Sequence, residues 1–126
     1  MTGNDIYYTA MDLCALRTKN STIPVDCEDL TQRALSLLNL LIAENAYLDS
    51  LIKKTDIVIS TITTLTDSIS LSPVLCSVVL PYGLACLLIQ NEDINAAAFF
   101  RNKYESEKTK IQAGLKGTLH EITEVY

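Results

Sequence analysis

Two helical patterns flank a short polar break in residues 72–104 of this sequence. An apolar run from Ser72 to Ile89 precedes the break, Gln90-Asn91-Glu92-Asp93, and an alanine- and aromatic-rich run follows it as far as Tyr104. A connection of so few residues forces the two helices to lie antiparallel. The stretch therefore predicts a helical hairpin, and nothing in it is typical of an active site.

The composition indicates one folded domain over residues 1–126. The chain is 48% hydrophobic and only 20% charged, which argues against a largely disordered protein. Its formal net charge is −5. Affinity for phosphate comes mainly from clustered Lys and Arg, so we do not expect this chain to coat nucleic acid.

Two helices are predicted before the hairpin. Asn4 can cap the first, which we expect from Asp5 to about Thr18, and Asp26 can cap a second, long helix. One stripe of the long helix recurs at spacings of three and four and is apolar except at Asn45: Leu30, Ala34, Leu37, Leu38, Leu41, Asn45, Leu48 and Ile52. The pairs Asp29 with Arg33 and Asp49 with Lys53 are expected on its solvated face.

The connection at about 56–71 is rich in Ile, Val, Thr and Ser, which are residue types common in strands. Alternation at Ile57 and Ile59 favours one or two short strands, or an extended, partly buried loop. The spacing of Val58, Ile62, Leu65 and Ile69 also fits a helix. The sequence leaves these alternatives open.

The hairpin itself has clear boundary residues. Ser72 can cap its first helix before Pro73, Pro81 should kink or interrupt that helix, and Gly83 permits the close approach of another backbone. Asp93 can cap the second helix, and Gly114 and Gly117 are expected to end it. Residues on one side of this helix are predicted to be Ala96, Ala97, Phe99, Phe100, Tyr104 and Ile111.

Residues 118–126 are expected to form a flexible or docking arm, with Leu119, Ile122, Val125 and Tyr126 as its contact residues. The predicted fold is therefore all-α: a small bundle of about four helices with a long central helix, a short extended or β-prone connection and a C-terminal arm. A membrane span at Pro73–Ile89 is rejected as too short and without basic flanks, in favour of a buried helix.

Catalytic and metal-binding patterns are absent from the sequence. There is no phosphate-binding Gly-rich loop, no G-x-S-x-G, no H-E-x-x-H and only one histidine, His120. The four cysteines, Cys14, Cys27, Cys76 and Cys86, lack C-x-x-C spacing. Cys76 and Cys86 lie among aliphatic residues and are interpreted as free thiols that pack as small hydrophobic side chains. Glu44 and the pair Glu92-Asp93 are the only carboxylates worth weighing for acid–base work. We expect no enzyme activity, no catalytic residues, no cofactor and no metal.

The order of elements resembles a known family. A first helix, the loop residues Glu28-Asp29-Leu30, a long helix with Leu37-Leu38-Asn39 and a Thr/Ser/Asp connection precede a hairpin with several distinctive residues: Leu80, Pro81, Tyr82, Gly83, Leu84, Ala85, Glu92, Asp93, Ala97, Phe99, Phe100 and Tyr104. This pattern, from about Ile6 to Ile111, is similar to the small head-tail connector (head completion or adaptor) proteins of tailed bacteriophages and prophages. The Ser/Thr-rich segment Ser60–Ser72 and the cysteines depart from it.

The resemblance implies a structural subunit of the virion. Such subunits are made in the bacterial cytoplasm, assemble as a ring under the portal protein at the capsid vertex, contact tail-side adaptors and extend the channel for DNA, which passes only as cargo. An isolated subunit can be monomeric, and no membrane is involved. The alternative is a small cytosolic helical module, regulatory or antitoxin-like, that binds another protein through one exposed apolar groove as a stable monomer or dimer.

Overall fold

A computed structural model describes residues 1–16 and 28–124, with side chains except those of residues 28, 29 and 116–124. It contains four α-helices: α1 (Gly3–Leu13), α2 (Glu28–Lys53), α3 (Leu80–Ile89) and α4 (Ile94–Glu124). One turn of π-helix, Leu75–Val79, leads directly into α3. No strand occurs in these ranges, so the predicted all-α bundle is confirmed.

The short helix α3 packs against all three other α-helices. It is apolar around most of its circumference, and a helix of that composition is stable only when neighbours cover it on every side. The long helix α2 contacts α1, α3 and α4 with its inner side. The buried residues of α3 are Leu80, Pro81, Gly83, Leu84, Ala85, Cys86, Leu88 and Ile89.

Pro81 marks an interruption of α-helical hydrogen bonding, as the sequence predicted. The N–H of Leu80 donates to the carbonyl of Leu75, five residues back, and Pro81 has no N–H to donate. The chain is helical from Pro73, and the N–H of Leu75 donates to the carbonyl of Ser72 at 2.9 Å. The predicted hydroxyl cap is wrong, because the Ser72 hydroxyl donates to Asp49 instead.

Helix α1 begins and ends at residues other than those predicted. Its N-cap is Thr2 and not Asn4: the Asp5 N–H donates to Thr2 Oγ1 at 3.3 Å, and the Thr2 N–H donates to Asp5 Oδ2 at 2.9 Å. The helix ends at Leu13, because Ala15 adopts a left-handed φ of 57°. The Leu16 N–H then donates back to the carbonyl of Met11 at 2.8 Å. The predicted end at Thr18 and the predicted cap Asp26 lie outside the described residues.

The connection is an extended loop, which was one of the open alternatives. It leaves α2 at Lys54, where φ is 57°, and runs back beside α2 to Asn39. The Asn39 amide accepts from the N–H of Ile62 and donates to its carbonyl, both at 2.9 Å. A turn follows, in which the Asp67 carboxylate accepts from the N–H groups of Thr63 and Thr64 at 2.9 and 3.0 Å. Hydrogen bonds from a side-chain amide and a carboxylate thus hold this segment, where a β-strand would have backbone hydrogen bonds to a neighbouring strand.

Helix α4 begins as predicted, since the Ala96 N–H donates to Asp93 Oδ1 at 3.0 Å. Its predicted end is wrong: the helix continues through Gly114 and Gly117 to Glu124. A glycine ends a helix by adopting a left-handed φ, and no described glycine does so. Leu119 and Ile122 therefore lie on helical backbone, although their side chains are not described. Val125 and Tyr126 lie outside the described residues, so the docking role of the arm stays a prediction.

Within the described residues, one helix is long and apolar enough to cross a membrane by length and composition. This helix is α2, over Leu30–Lys53. It is not the segment Pro73–Ile89, which the sequence analysis considered as a span and rejected. In its most apolar window, 44% of the residues are buried inside the bundle. A helix at the core of a helical bundle meets the same criterion.

A pair of glycine substitutions tests how closely these helices pack. A Cβ atom at Gly83 would lie 2.9 Å from Leu41 Cδ2 and 2.9 Å from Tyr104 Cε2, whereas a Cβ at Gly114 meets nothing within 4 Å. We expect Gly83→Ala to lower the free energy of unfolding by about 1–3 kcal/mol. Gly114→Ala should raise it by about 0.5–1 kcal/mol, because alanine favours helix. Urea denaturation measures both, and equal effects would contradict the packing.

Candidate functional site

The residues that carry the family resemblance lie mostly in the core. Phe100 and Tyr104 are buried on α4. Five of the six named residues on α3 are buried too, and Tyr82 is half-buried. Phe99 differs from its prediction: it is 56% exposed, because the inner side of α4 follows Ala97, Phe100 and Tyr104. The buried five are Leu80, Pro81, Gly83, Leu84 and Ala85.

A buried polar pair accompanies the close approach at Gly83. Asn45 on α2 is fully buried, and its Nδ2 donates to the carbonyl of Leu41 at 2.8 Å and to the Tyr104 hydroxyl at 3.0 Å. Its Oδ1 has no hydrogen-bond partner. Burial raises the pKa of Tyr104 to about 12, although the bond from Asn45 acts in the other direction. Tyr104 is therefore a neutral phenol that links α2 to α4.

A second polar cluster joins the end of α2 to the start of the hairpin. Asp49 Oδ1 accepts from the N–H of Ser72 at 2.7 Å and from its hydroxyl at 2.6 Å. Lys53 Nζ lies 3.0 Å from Asp49 Oδ2 and donates to the carbonyl of Ser70 at 2.6 Å. The i,i+4 pair is confirmed, but its predicted place on the solvated face is wrong, because Asp49 is buried.

The electrostatics of Asp49 follow from these contacts. Burial raises the pKa of its carboxyl group, but the hydrogen bonds from Ser72 and the neighbouring Lys53 outweigh that effect, so the pKa is lowered overall. Asp49 is thus an ionised group that fixes the polypeptide on either side of the connection. Asp49, Ser72 and Lys53 together form a structural clamp between the end of α2 and the start of the hairpin.

The fold does not bring together the three carboxylates that were considered for acid–base catalysis, Glu44, Glu92 and Asp93. Glu44 is exposed on α2, Glu92 is exposed in the turn between α3 and α4, and Asp93 serves as the cap of α4. Among the described residues, no three His, Cys, Asp or Glu side chains are placed to hold a metal ion. The side chain of His120 is not described.

Three cysteines lie in the described part of the chain, and each is a free thiol, which was the prediction for Cys76 and Cys86. Cys14 Sγ is 3.7 Å from the carbonyl oxygen of Ala85, and burial, together with the nearby Cys86, raises its pKa to about 11. Burial also raises the pKa of Cys76 and of Cys86. A thiol that resists ionisation is a poor nucleophile, so these side chains act as packing groups.

Three surfaces of the described residues expose apolar side chains, and the sequence analysis identified none of them. The α2 seam consists of Leu37, Leu40, Glu44, Tyr47, Leu51 and Lys54. The connection patch consists of Ile57, Val58 and Ile59, which are 55%, 67% and 57% exposed. The α3–α4 groove has a volume of about 320 Å³ and is lined by Cys86, Gln90, Asn91, Ile94, Ala97, Ala98 and Arg101.

Of the exposed apolar surfaces, only the α2 seam could have been predicted from the sequence. On a helical projection of α2, Leu40, Tyr47 and Leu51 fall on one side and Asn45 on the opposite side, so Asn45 marks the side facing α3 and α4. The connection patch gave no comparable signal, because a β-branched run is equally typical of a buried strand.

No family model, no curated protein and no solved structure matches this chain. The assignment of function therefore depends on the exposed surfaces and on the residue pattern of the hairpin.

A double-mutant cycle tests the buried polar pair. Tyr104→Phe leaves the Asn45 amide with one acceptor, and we expect it to lower the free energy of unfolding by about 1–2 kcal/mol. Replacing both groups, in Asn45→Leu with Tyr104→Phe, should cost less than the sum of the single changes, because no buried polar group is then left without a partner. Additive losses in urea denaturation would show that the two side chains do not interact.

The clamp formed by Asp49, Ser72 and Lys53 predicts that the stability of the fold depends on pH. Because the folded pKa of Asp49 lies below its ordinary value of 3.8, the stabilisation is present above that value and is lost as the pH falls through the folded pKa. We expect Ser72→Ala to lower the free energy of unfolding at neutral pH by about 1–2 kcal/mol and to flatten the loss on acidification.

The matched control for the clamp is Ser70→Ala, which keeps the carbonyl that Lys53 binds. It should match the wild-type chain at both neutral and acidic pH. If Ser72→Ala showed the same acid dependence as the wild-type chain in urea denaturation, the hydroxyl bond to Asp49 would not be responsible.

Proposed function

We propose that this chain is a structural subunit of a tailed bacteriophage or prophage, a head-tail connector that assembles as a ring under the portal protein. The hairpin residues that resemble this family support the proposal. Gly83 and Tyr104 are in contact at the centre of the bundle, so that part of the resemblance corresponds to a packing arrangement. A ring subunit of this kind acts as a rigid building block that lengthens the DNA channel toward the tail.

The observation that carries the proposal is a pair of different exposed apolar surfaces on one helical body. A cyclic ring requires two unlike surfaces, one on each neighbour, that fit each other. The connection patch projects three consecutive apolar side chains, and the α3–α4 groove is concave and apolar at its base. They lie on different elements, so one copy can use both at once.

Charge supports the pairing of these two surfaces. Asp56 directly precedes the connection patch, and Arg101 lies at the edge of the groove. Both are exposed, and neither has an ion-pair partner among the described residues. Inserting the patch of one copy into the groove of the next would bring the two opposite charges together at the rim, where such pairs mainly favour the correct partner.

The overall charge is also compatible with DNA as passing cargo. With a net charge of −5, the subunit has few means of holding phosphate tightly. A channel wall that repels phosphate lets DNA slide past.

The α3–α4 groove also favours a second candidate function, a small regulatory or antitoxin-like binding module. Such a module would place one segment of a partner in the groove and would need no second surface. It would remain a monomer or dimer in the presence of a portal protein, which separates it from the ring proposal.

The decisive experiment is co-assembly with a portal protein from the same phage or prophage genome. We expect the chain to sediment with the portal ring and to add a layer of density in negative-stain images. Val58→Asp, which places a charge in the connection patch, should abolish that layer. Ser106→Asp adds the same charge at an exposed position on α4 outside the groove and should leave the layer intact. A wild-type chain that never joins the portal ring would reject the proposal.

A further inference from the structure

The α2 seam is a row of side chains along the outer side of the helix. From Leu37 the positions follow in steps of three, four, three, four and three residues to Lys54, and all except the half-buried Leu37 are exposed. Leu40, Tyr47 and Leu51 are 52%, 58% and 40% exposed, although side chains of this size are usually covered. The described chain therefore leaves these three apolar side chains open to a partner.

Steps of three and four residues are the spacing at which one helix packs against another along a seam. The side chains beside the row are small: Ser36 and Ala43 are exposed and lie along one edge. Small flanking residues permit another helix to approach closely. The row therefore has both the spacing and the free space that a partner helix needs.

We propose that the α2 seam binds the same seam of a second copy of this chain, with the two helices antiparallel. In this register Leu40 packs against Leu51 of the second copy. Glu44 faces Tyr47 of the second copy, where the phenol hydroxyl can donate to the carboxylate. Leu37 lies under the aliphatic part of Lys54 of the second copy. Each of these contacts occurs twice, because the pair is related by a two-fold axis.

Charge selects the antiparallel arrangement over the parallel one. A parallel pair would place Glu44 against Glu44 and Lys54 against Lys54, so that two layers of the seam would hold like charges. The antiparallel pair replaces these layers with a hydrogen bond and apolar contacts. Like charges at a seam are costly and usually decide the orientation of paired helices.

The size of the seam sets the expected strength. It covers 17 residues of α2, from Leu37 to Lys53, and Lys54 follows directly after the helix; 17 residues span about 26 Å at the usual rise per residue. One helix face of this length gives an interface near the lower end for stable dimers, roughly 1,200 Å² in total. The dimer should therefore depend strongly on concentration.

This inference stands apart from the ring proposal. A two-fold contact closes at two copies and uses the α2 seam alone, whereas a ring uses two unlike surfaces. The dimer is expected for the isolated chain, so its failure would leave the ring proposal standing, and failure to join a portal ring would leave the dimer standing.

The first test is the mass of the full-length chain by sedimentation equilibrium between about 1 µM and 1 mM. We expect a monomer–dimer equilibrium that Leu40→Glu weakens at least tenfold. Ser106→Glu introduces the same charge at an exposed position on α4, outside both the seam and the α3–α4 groove, and should leave the equilibrium unchanged. Circular dichroism should show that both variants keep the wild-type helix content. A wild-type chain that is monomeric throughout, or a dimer insensitive to Leu40→Glu, would overturn the proposal.

The second test is orientation by disulfide formation. An equimolar mixture of Glu44→Cys and Tyr47→Cys should form mixed disulfide dimers faster than either variant alone, with the wild-type chain and its four cysteines as the background. Faster linkage within Glu44→Cys alone would indicate the parallel pair and would overturn the antiparallel register.

A third test addresses lipid as the occupant of the same surface. The wild-type chain is mixed with vesicles of phosphatidylcholine and phosphatidylglycerol and centrifuged. We expect it to remain in the supernatant. Sedimentation with vesicles that Leu40→Glu abolishes, in a chain that does not dimerise, would assign the seam to a membrane surface instead.

Discussion

The contact of Gly83 with Leu41 and Tyr104 fixes the distance of α3 from α2 on one side and from α4 on the other. A side chain at position 83 would force both neighbours outward at once. Asn45 reinforces the same point, since its amide bonds the backbone of α2 and the phenol of α4 in the interior. Buried polar groups of this kind fix which residues of two helices face each other, whereas apolar contacts alone would tolerate sliding.

The sequence predicted the parts of the fold that depend on local chemistry. The break at Gln90–Asp93, the cap at Asp93 and the interruption at Pro81 each follow from one or a few residues. The end of α1 could not be predicted, because Ala15 adopts a left-handed conformation that its residue type disfavours. The burial of Asp49 was missed for a different reason: Ser72, its partner, is 23 residues away, and only the folded connection brings them together.

The exposed surfaces also differ in how far the sequence predicts them. The three- and four-residue spacing of the stripe that includes Asn45 identifies the inner side of α2. The large apolar residues on the opposite side could then have been inferred to lie on the surface. No spacing, however, distinguishes an exposed connection patch from a buried strand, because both are runs of branched apolar residues. Two polar side chains hold the connection as a loop: Asn39 from α2, which binds Ile62, and Asp67 in the connection's own turn. Surfaces available for assembly therefore depend on contacts distant in sequence.

The π-helical turn at Leu75–Val79 also restricts how this gene can change in length. It contains one residue more than a regular turn, so deleting a single residue there would restore ordinary α-helical geometry and leave α3 itself intact. The same deletion would rotate everything upstream by roughly 100° about the helix axis. Ser72 would then turn away from Asp49, and the connection would lose its anchor. A change in residue count is thus more damaging here than a change in residue type.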